Sequence, residues 1–230
     1  RKADKTQVTA VNWGIWSDVG MAAHSIAERN GEAEDIVERA IDAATLQNLR
    51  VEHDGALIFG AEVTADTCWM LDQHRTKAGE AIFPGTGYLA LIAEAMQVLD
   101  ETAAYEVREL TFLRALHVED TGTRKLQLRL TPDELGYSFE LLSDYQDAFV
   151  RHAEGRVSMV ALPQAQAFDA AAISARCLSV EEAASGAHIT SPQEVHLNFG
   201  KHWNVLRKAA LGEGEGLAHL SLSDSLLEEA

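Results

Sequence analysis

The chain has 230 residues, 47 % of them hydrophobic, enough for one large domain or two small ones with a full core. Its 36 acidic residues outnumber 19 basic ones, and the net charge of −17 argues against a nucleic-acid partner and otherwise serves solubility. No apolar run is long enough to span a membrane, no signal-peptide pattern opens the chain, and Cys68 and Cys177 show no metal spacing, so a reduced, cytoplasmic protein is expected.

In chain order, Val8 to Val11 suit a buried strand, and Trp13 and Trp16 suit a packed turn after it. Asn30 to Asp35 is polar and contains glycine, as linkers do. Over residues 33–50, apolar side chains at Ile36, Val37, Ala40, Ile41, Ala44 and Leu46 recur at helical spacing, with acidic residues in the first turn and Arg50 at the end; a linking surface helix is expected. Two short strand-like runs follow, Ala56–Phe59 and Ala61–Thr64, before Trp69, Met70 and Leu71 lead into Asp72, Gln73 and His74.

The stretch from His74 to Leu99 organises the chain. Its first half is a polar loop closed by Pro84 and Gly85. Its second half reads as a helix apolar round most of its circumference, through Tyr88, Leu89, Leu91, Ile92, Ala95, Met96, Val98 and Leu99, and such a helix must be covered on nearly every side. Proline suits a helix start, where its missing N–H costs nothing and its φ is already set. A single histidine therefore stands one loop before the free N–H groups and positive dipole end of a buried helix. Strand candidates come next at 106–118, Arg124–Leu130, Tyr137–Leu142 and 148–160; in the second of these Leu126, Leu128 and Leu130 alternate with Lys125, Gln127 and Arg129. Leu162 to Ala187 is rich in Ala and Ser and lacks periodicity, whereas Leu217–Leu222 reads as another strand. One helix followed by consecutive antiparallel strands is an α+β pattern.

His74, Gly79 and the run Phe83-Pro84-Gly85-Thr86-Gly87-Tyr88-Leu89 resemble the dehydratase domain of modular polyketide synthases, whose pattern is His-x-x-x-Gly-x-x-x-x-Pro. Here one additional residue separates His74 from Gly79, and Ala78 occupies the usual glycine position. Phe199-Gly200-Lys201-His202-Trp203, within Val195–Leu206, resembles that family's Tyr-Gly-Pro-x-Phe motif, with lysine where proline is usual. Asn12-Trp13-Gly14-Ile15-Trp16 resembles the end of a ketoreductase domain. The implied fold is a double hot-dog, an antiparallel sheet wrapped around a central apolar helix, with the second half incomplete. The expected domains are a ketoreductase remnant and linker over 1–32, the linking helix over 33–50, a first hot-dog over 51–161, a connector over 162–187 and the start of a second hot-dog over 188–230.

The resemblance implies removal of water from a 3-hydroxyacyl thioester held on the phosphopantetheine of an acyl carrier protein. It assigns His74 as base, the N–H of Gly85 as oxyanion donor, Gly79 and Pro84 as shapers of the loop, and Tyr88 to the tunnel wall. No metal and no nucleotide cofactor is implied. The partner acid would be an aspartate in an Asp-x-x-x-Gln/His motif, which nothing in this sequence matches, so the chain reads as stopping before it. A homodimer within a larger synthase is implied as well. Carrier proteins are generally acidic, so docking requires local basic residues, for which Arg75, Lys77, Lys201, Arg207 and Lys208 are candidates. Two other readings remain open: a double-bond isomerase or cyclase using the same base, and a non-catalytic module that spaces or dimerises the assembly. A cavity reaching His74 favours an enzyme, and a filled core there favours a scaffold.

Overall fold

The computed structural model describes residues 38–101, 104–160, 167–184 and 187–222; the ketoreductase-like stretch lies outside them. The first strands are β1 (Glu38–Ala40), β2 (Asn48–Val51) and β3 (Leu57–Thr64). A single helical turn, α1 (Trp69–Asp72), then leads through β4 (His74–Thr76) and β5 (Ala81–Ile82) into the helix α2 (Gly85–Val98). Beyond it run β6 (Tyr105–Phe112), β7 (His117–Val118), β8 (Thr123–Asp133), β9 (Gly136–Tyr145) and β10 (Ala148–Met159). The last part holds α3 (Ala170–Arg176), β11 (Ser179–Glu182), β12 (Leu197–Phe199), β13 (Leu206–Leu211) and β14 (Gly216–Leu220).

Seven strands form one antiparallel sheet in the order β1-β2-β3-β8-β9-β10-β6. Period-two patterning sets its register, because a slip of one residue would turn every leucine of β8 to the wrong face. Phe59 stands opposite Leu128, which stands opposite Leu141; Leu57, Leu130 and Phe139 form the next rank. These six side chains share one buried cluster with Tyr88, Leu91, Ile92, Ala95 and Met96 of α2, so the sheet wraps the helix as a hot-dog fold requires. Where Phe139 crosses β10, Gly155 leaves room: a Cβ there would lie 2.8 Å from the ring.

Several expectations are corrected. Within 33–50 the described residues form β1 and β2, with no helix. Leu46 and Leu49 are buried, and β2 pairs with β3 from Asn48 opposite Gly60 to Val51 opposite Leu57. The Glu94 carboxylate of α2 also accepts the Thr45 and Leu46 N–H groups, each at 2.9 Å. Long-range pairing buries Leu46 and Leu49 in the core, and tertiary context outweighs helical spacing. The two runs 56–59 and 61–64 are one strand, β3, because Gly60 gives way to the Asn48 side chain beside it without breaking the ladder. The expected strand over 106–118 is two, β6 and β7, which lie in different sheets. The expected connector over 162–187 contains α3 and β11, and β11 joins β13 and β14 in a three-stranded sheet.

The remaining sheet, β12-β4-β5-β7, joins the first hot-dog to the residues after it: Leu197, Asn198 and Phe199 of β12 face Thr76, Arg75 and His74 of β4. Leu91 is fully buried between α2 and the large sheet. Leu91→Ala is expected to lower unfolding free energy by about 2–5 kcal/mol, measured by urea denaturation.

Candidate active site

His74 enters the site on a two-strand hairpin. β4 and β5 pair through Arg75 and Ala81, and the turn between them is closed by the Gly79 N–H on the Thr76 carbonyl (3.0 Å) and the Thr76 N–H on the Glu80 carbonyl (2.9 Å). Gly79 sits at φ +92°, a region open to glycine and costly for other residues. Gly79 therefore makes the turn of this hairpin. Arg75 braces the same turn, donating to the Gly79 carbonyl (2.9 Å), Asp120 (2.6 Å) and Asp72.

The His74 imidazole is oriented by one backbone group. Its Nδ1 lies 2.7 Å from the Ile82 carbonyl oxygen, across the hairpin. A carbonyl only accepts, so Nδ1 carries the proton and Nε2 keeps the lone pair. Two aromatic rings hold the imidazole from the other side: Phe199 at 5.4 Å and Trp203 at 5.7 Å between centroids. Gln73 clamps that aromatic turn. Its backbone carbonyl accepts the Gly200 N–H (2.9 Å), its side-chain oxygen accepts the His202 N–H (2.8 Å), and its amide nitrogen meets His202 Nδ1 at 3.1 Å. A Cβ on Gly200 would meet the Gln73 side chain at 2.5 Å, so glycine permits this contact.

Pro84 is the N-cap of α2, and Gly85 is its first residue. Phe83, before the cap, is held through its N–H on the Leu116 carbonyl at 2.9 Å. Among the described residues the Gly85 N–H meets no acceptor, as expected of the first turn of a helix. His74, Pro84, Gly85, Thr86 and Leu89 all line one cavity of about 600 Å³, whose further wall includes Leu110, Phe112 and Trp203. Ordinary ligand sites span about 300–1,000 Å³.

The structure brings three of the five sequence-predicted residues to this cavity: His74, Pro84 and Gly85. Gly79 lies on the hairpin turn, beside a separate open hollow with Glu80 and His117. Tyr88, expected on the tunnel wall, is instead in the core, 3 % exposed and stacked on Phe83 at 5.3 Å. Helical rotation explains the correction. Residues 85 and 89, four apart, share the cavity face, whereas 88 shares a face with Leu91, Ile92 and Ala95. Burial pushes the Tyr88 phenol up to about 12, so it holds its proton throughout the working range.

Phe199 and Trp203 stood in a recognised motif, but their contact with His74 depends on a pairing across more than a hundred residues. His152 is also placed by the fold, buried with Nε2 2.8 Å from the Ser143 hydroxyl and Nδ1 3.2 Å from the Arg114 carbonyl. Burial lowers its pKa, and it is a core residue outside the cavity. No cluster of three or more His, Cys, Asp or Glu side chains suited to a metal ion occurs among the described residues.

An antiparallel sheet wrapped round one apolar helix, with a histidine hairpin at the helix start, defines a hot-dog fold of the dehydratase type. Residues 45–144 match the family model described as the polyketide synthase dehydratase domain. The match covers 100 of the 230 residues, and over that segment the chain is similar to that family. Two curated relatives are highly reducing polyketide synthases: ntnH of a Nectria species, 25 % identical over 99 residues, and lcsB of Purpureocillium lilacinum, 27 % identical over 124 residues. The matched regions cover 40 % and 45 % of this chain and only 4 % and 5 % of those proteins. Among solved structures, a trans-AT dehydratase domain from Brevibacillus brevis superposes with a TM-score of 0.69 at 22 % identity, covering 83 % of this chain and 68 % of that one. The dehydratase domain from the CurF module of the curacin synthase gives 0.65 at 20 % identity, covering 83 % and 67 %.

The hairpin makes its own prediction. Nothing lies within 4 Å of a Cβ built on Gly79, so substitution there strains only the backbone. Gly79→Ala is expected to cost about 1–2 kcal/mol in urea denaturation, with Ala78→Gly costing less.

Proposed function

We propose that this chain dehydrates a 3-hydroxyacyl thioester carried on the phosphopantetheine of an acyl carrier protein. The observation that carries the reading is the shared cavity: His74, with a fixed lone-pair nitrogen, and the first N–H groups of α2 lie on one wall system beside apolar Leu89, Leu110 and Phe112. An open space at His74 favours an enzyme over a filled, scaffolding core.

Dehydration asks for a base at the α-carbon, charge stabilisation at the thioester oxygen and a proton for the departing hydroxyl. His74 Nε2 takes the α-proton, and its Nδ1–H stays on the Ile82 carbonyl, which also stabilises the imidazolium formed. The Gly85 N–H, at the positive end of α2, meets the enolate-like oxygen. A Cβ at Gly85 would press the Phe112 ring at 3.1 Å, so glycine keeps both the donor and the aromatic wall in place. The C–O bond breaks as the α,β double bond forms, and no metal or nucleotide is needed. The apolar wall suits the acyl chain.

The partners proposed are an acyl carrier protein, other synthase domains and a second copy of the chain, in the cytoplasm. No helix among the described residues is long and apolar enough to cross a membrane. Of the five basic candidates for the carrier, four are engaged: Arg75 with carboxylates, Lys77 with Asn198 at 2.7 Å, Arg207 with the Ala187 carbonyl at 3.0 Å and Lys208 with Glu182 at 2.9 Å. Lys201 is exposed, has no partner among the described residues and adjoins the aromatic turn that touches His74.

Mass spectrometry of the chain with a 3-hydroxyacyl pantetheine thioester is expected to show loss of water, reduced by roughly 100-fold or more in His74→Ala. Absence of water loss in both proteins removes the reading. Lys201→Glu is expected to slow turnover of carrier-bound substrate severalfold and to leave the free pantetheine thioester untouched; equal rates on both remove Lys201 from the docking face.

A further inference from the structure

His202 is 6 % exposed and belongs to the turn 199–203, which sets Phe199 and Trp203 against His74. Its bonds assign its ring hydrogens. The His202 backbone N–H donates to the Gln73 side-chain oxygen at 2.8 Å, so the other end of that amide is the NH₂ group. That group lies 3.1 Å from His202 Nδ1 and can only donate. Nδ1 therefore holds a lone pair, and Nε2 carries the proton. Nε2 is shielded from solvent and has no hydrogen-bond partner, and Trp69 of α1 stands edge-on to the ring at 5.3 Å between centroids. The titratable and charged side chains of α1, its cap and β4 are Cys68, Asp72, His74 and Arg75, and Lys201 stands on the turn itself. Asp72 pairs with Arg75 at 3.2 Å, and among the described residues no carboxylate pairs with the His202 imidazole.

A proton on Nδ1 is incompatible with this arrangement, because two donors would then face each other across 3.1 Å. Turning the Gln73 amide over brings its oxygen to the new Nδ1–H but sets its NH₂ group against the His202 backbone N–H, so one of the two bonds is lost either way. The Gln73 side chain is also packed against Gly200, where a Cβ would lie 2.5 Å from it. The tie that remains, the Gly200 N–H on the Gln73 carbonyl at 2.9 Å, holds the start of the turn and not Trp203. We propose that neutral His202 is a proton-sensitive latch: with Gln73 it positions the turn 199–203 against His74, and its protonation releases that aromatic wall. Gln73 and His202 are positioning residues in this role, since their bonds reach His74 only through Phe199 and Trp203.

Nuclear magnetic resonance of the full chain tests the latch without substrate, so the result stands apart from the dehydration reading. Long-range ¹H–¹⁵N correlations, with the His202 signals assigned by their loss in His202→Asn, are expected to show the Nε2–H tautomer at about pH 8. Cross-relaxation between the His74 and Trp203 rings is expected there too, and to fall on acidification to about pH 5 in step with protonation of the His202 ring. Two variants separate this from titration of His74 itself. His202→Asn puts an amide oxygen, an acceptor that takes no proton in this range, where Nδ1 stood; it is expected to keep the ring contact after acidification. Gln73→Glu matches the parent in shape and accepts from both the His202 N–H and an Nδ1–H, and it is expected to keep the contact as well. Circular dichroism and thermal melting establish which variants fold. An Nδ1–H tautomer in the parent at about pH 8 overturns the proposal. So does a His74–Trp203 contact that survives protonation of His202 in the parent, or one that a folded variant loses on acidification just as the parent does.

Discussion

Burial of α2 is the constraint on which the rest depends. A helix with Tyr88, Leu91, Ile92, Ala95 and Met96 all buried cannot stand at a surface, and the seven-stranded sheet supplies the cover. Apolar burial is worth roughly 25 cal/mol per Å², so the buried face of α2 and the two ranks of facing leucines and phenylalanines hold the helix axis firmly. Once the axis is set, the start of α2 is set, and with it the free N–H groups at Gly85. The hairpin before it is then fixed at both ends, by Phe83 on the Leu116 carbonyl and by β12 beside β4.

That scaffold allows a single backbone carbonyl to decide the chemistry of His74. The Ile82 oxygen sets the tautomer, the aromatic turn 199–203 sets the tilt, and Gln73 ties that turn to the residue next to the histidine. The strongly negative net charge stays away from this arrangement: Glu194 is the one carboxylate among the cavity-lining residues described.

Much of this was legible in the sequence where local patterning and tertiary demand agree. The alternation of Leu126, Leu128 and Leu130 survives in the structure as read; α2 is a helix as expected but is covered along one side only, with Leu89, Ala93 and Gln97 exposed. Legibility failed where long-range contacts outweigh local spacing. Ile41 and Leu46 look helical, yet Leu46 is buried beside the Glu94 carboxylate, forty-eight residues away in the chain. Tyr88 was misplaced for a smaller reason: a position three residues into a helix points about 60° away from the first, enough to move it from cavity to core.

The central claim is that His74 removes the α-proton within this cavity. A 3-alkynoyl pantetheine thioester tests it directly, because removal of a C2 proton converts the alkyne to an electrophilic allene that adds to a nitrogen at the site where it forms. Peptide mapping after incubation is predicted to find the adduct on His74, with none after denaturation of the protein beforehand. An unmodified His74, with the reagent intact or bound elsewhere, would contradict the account.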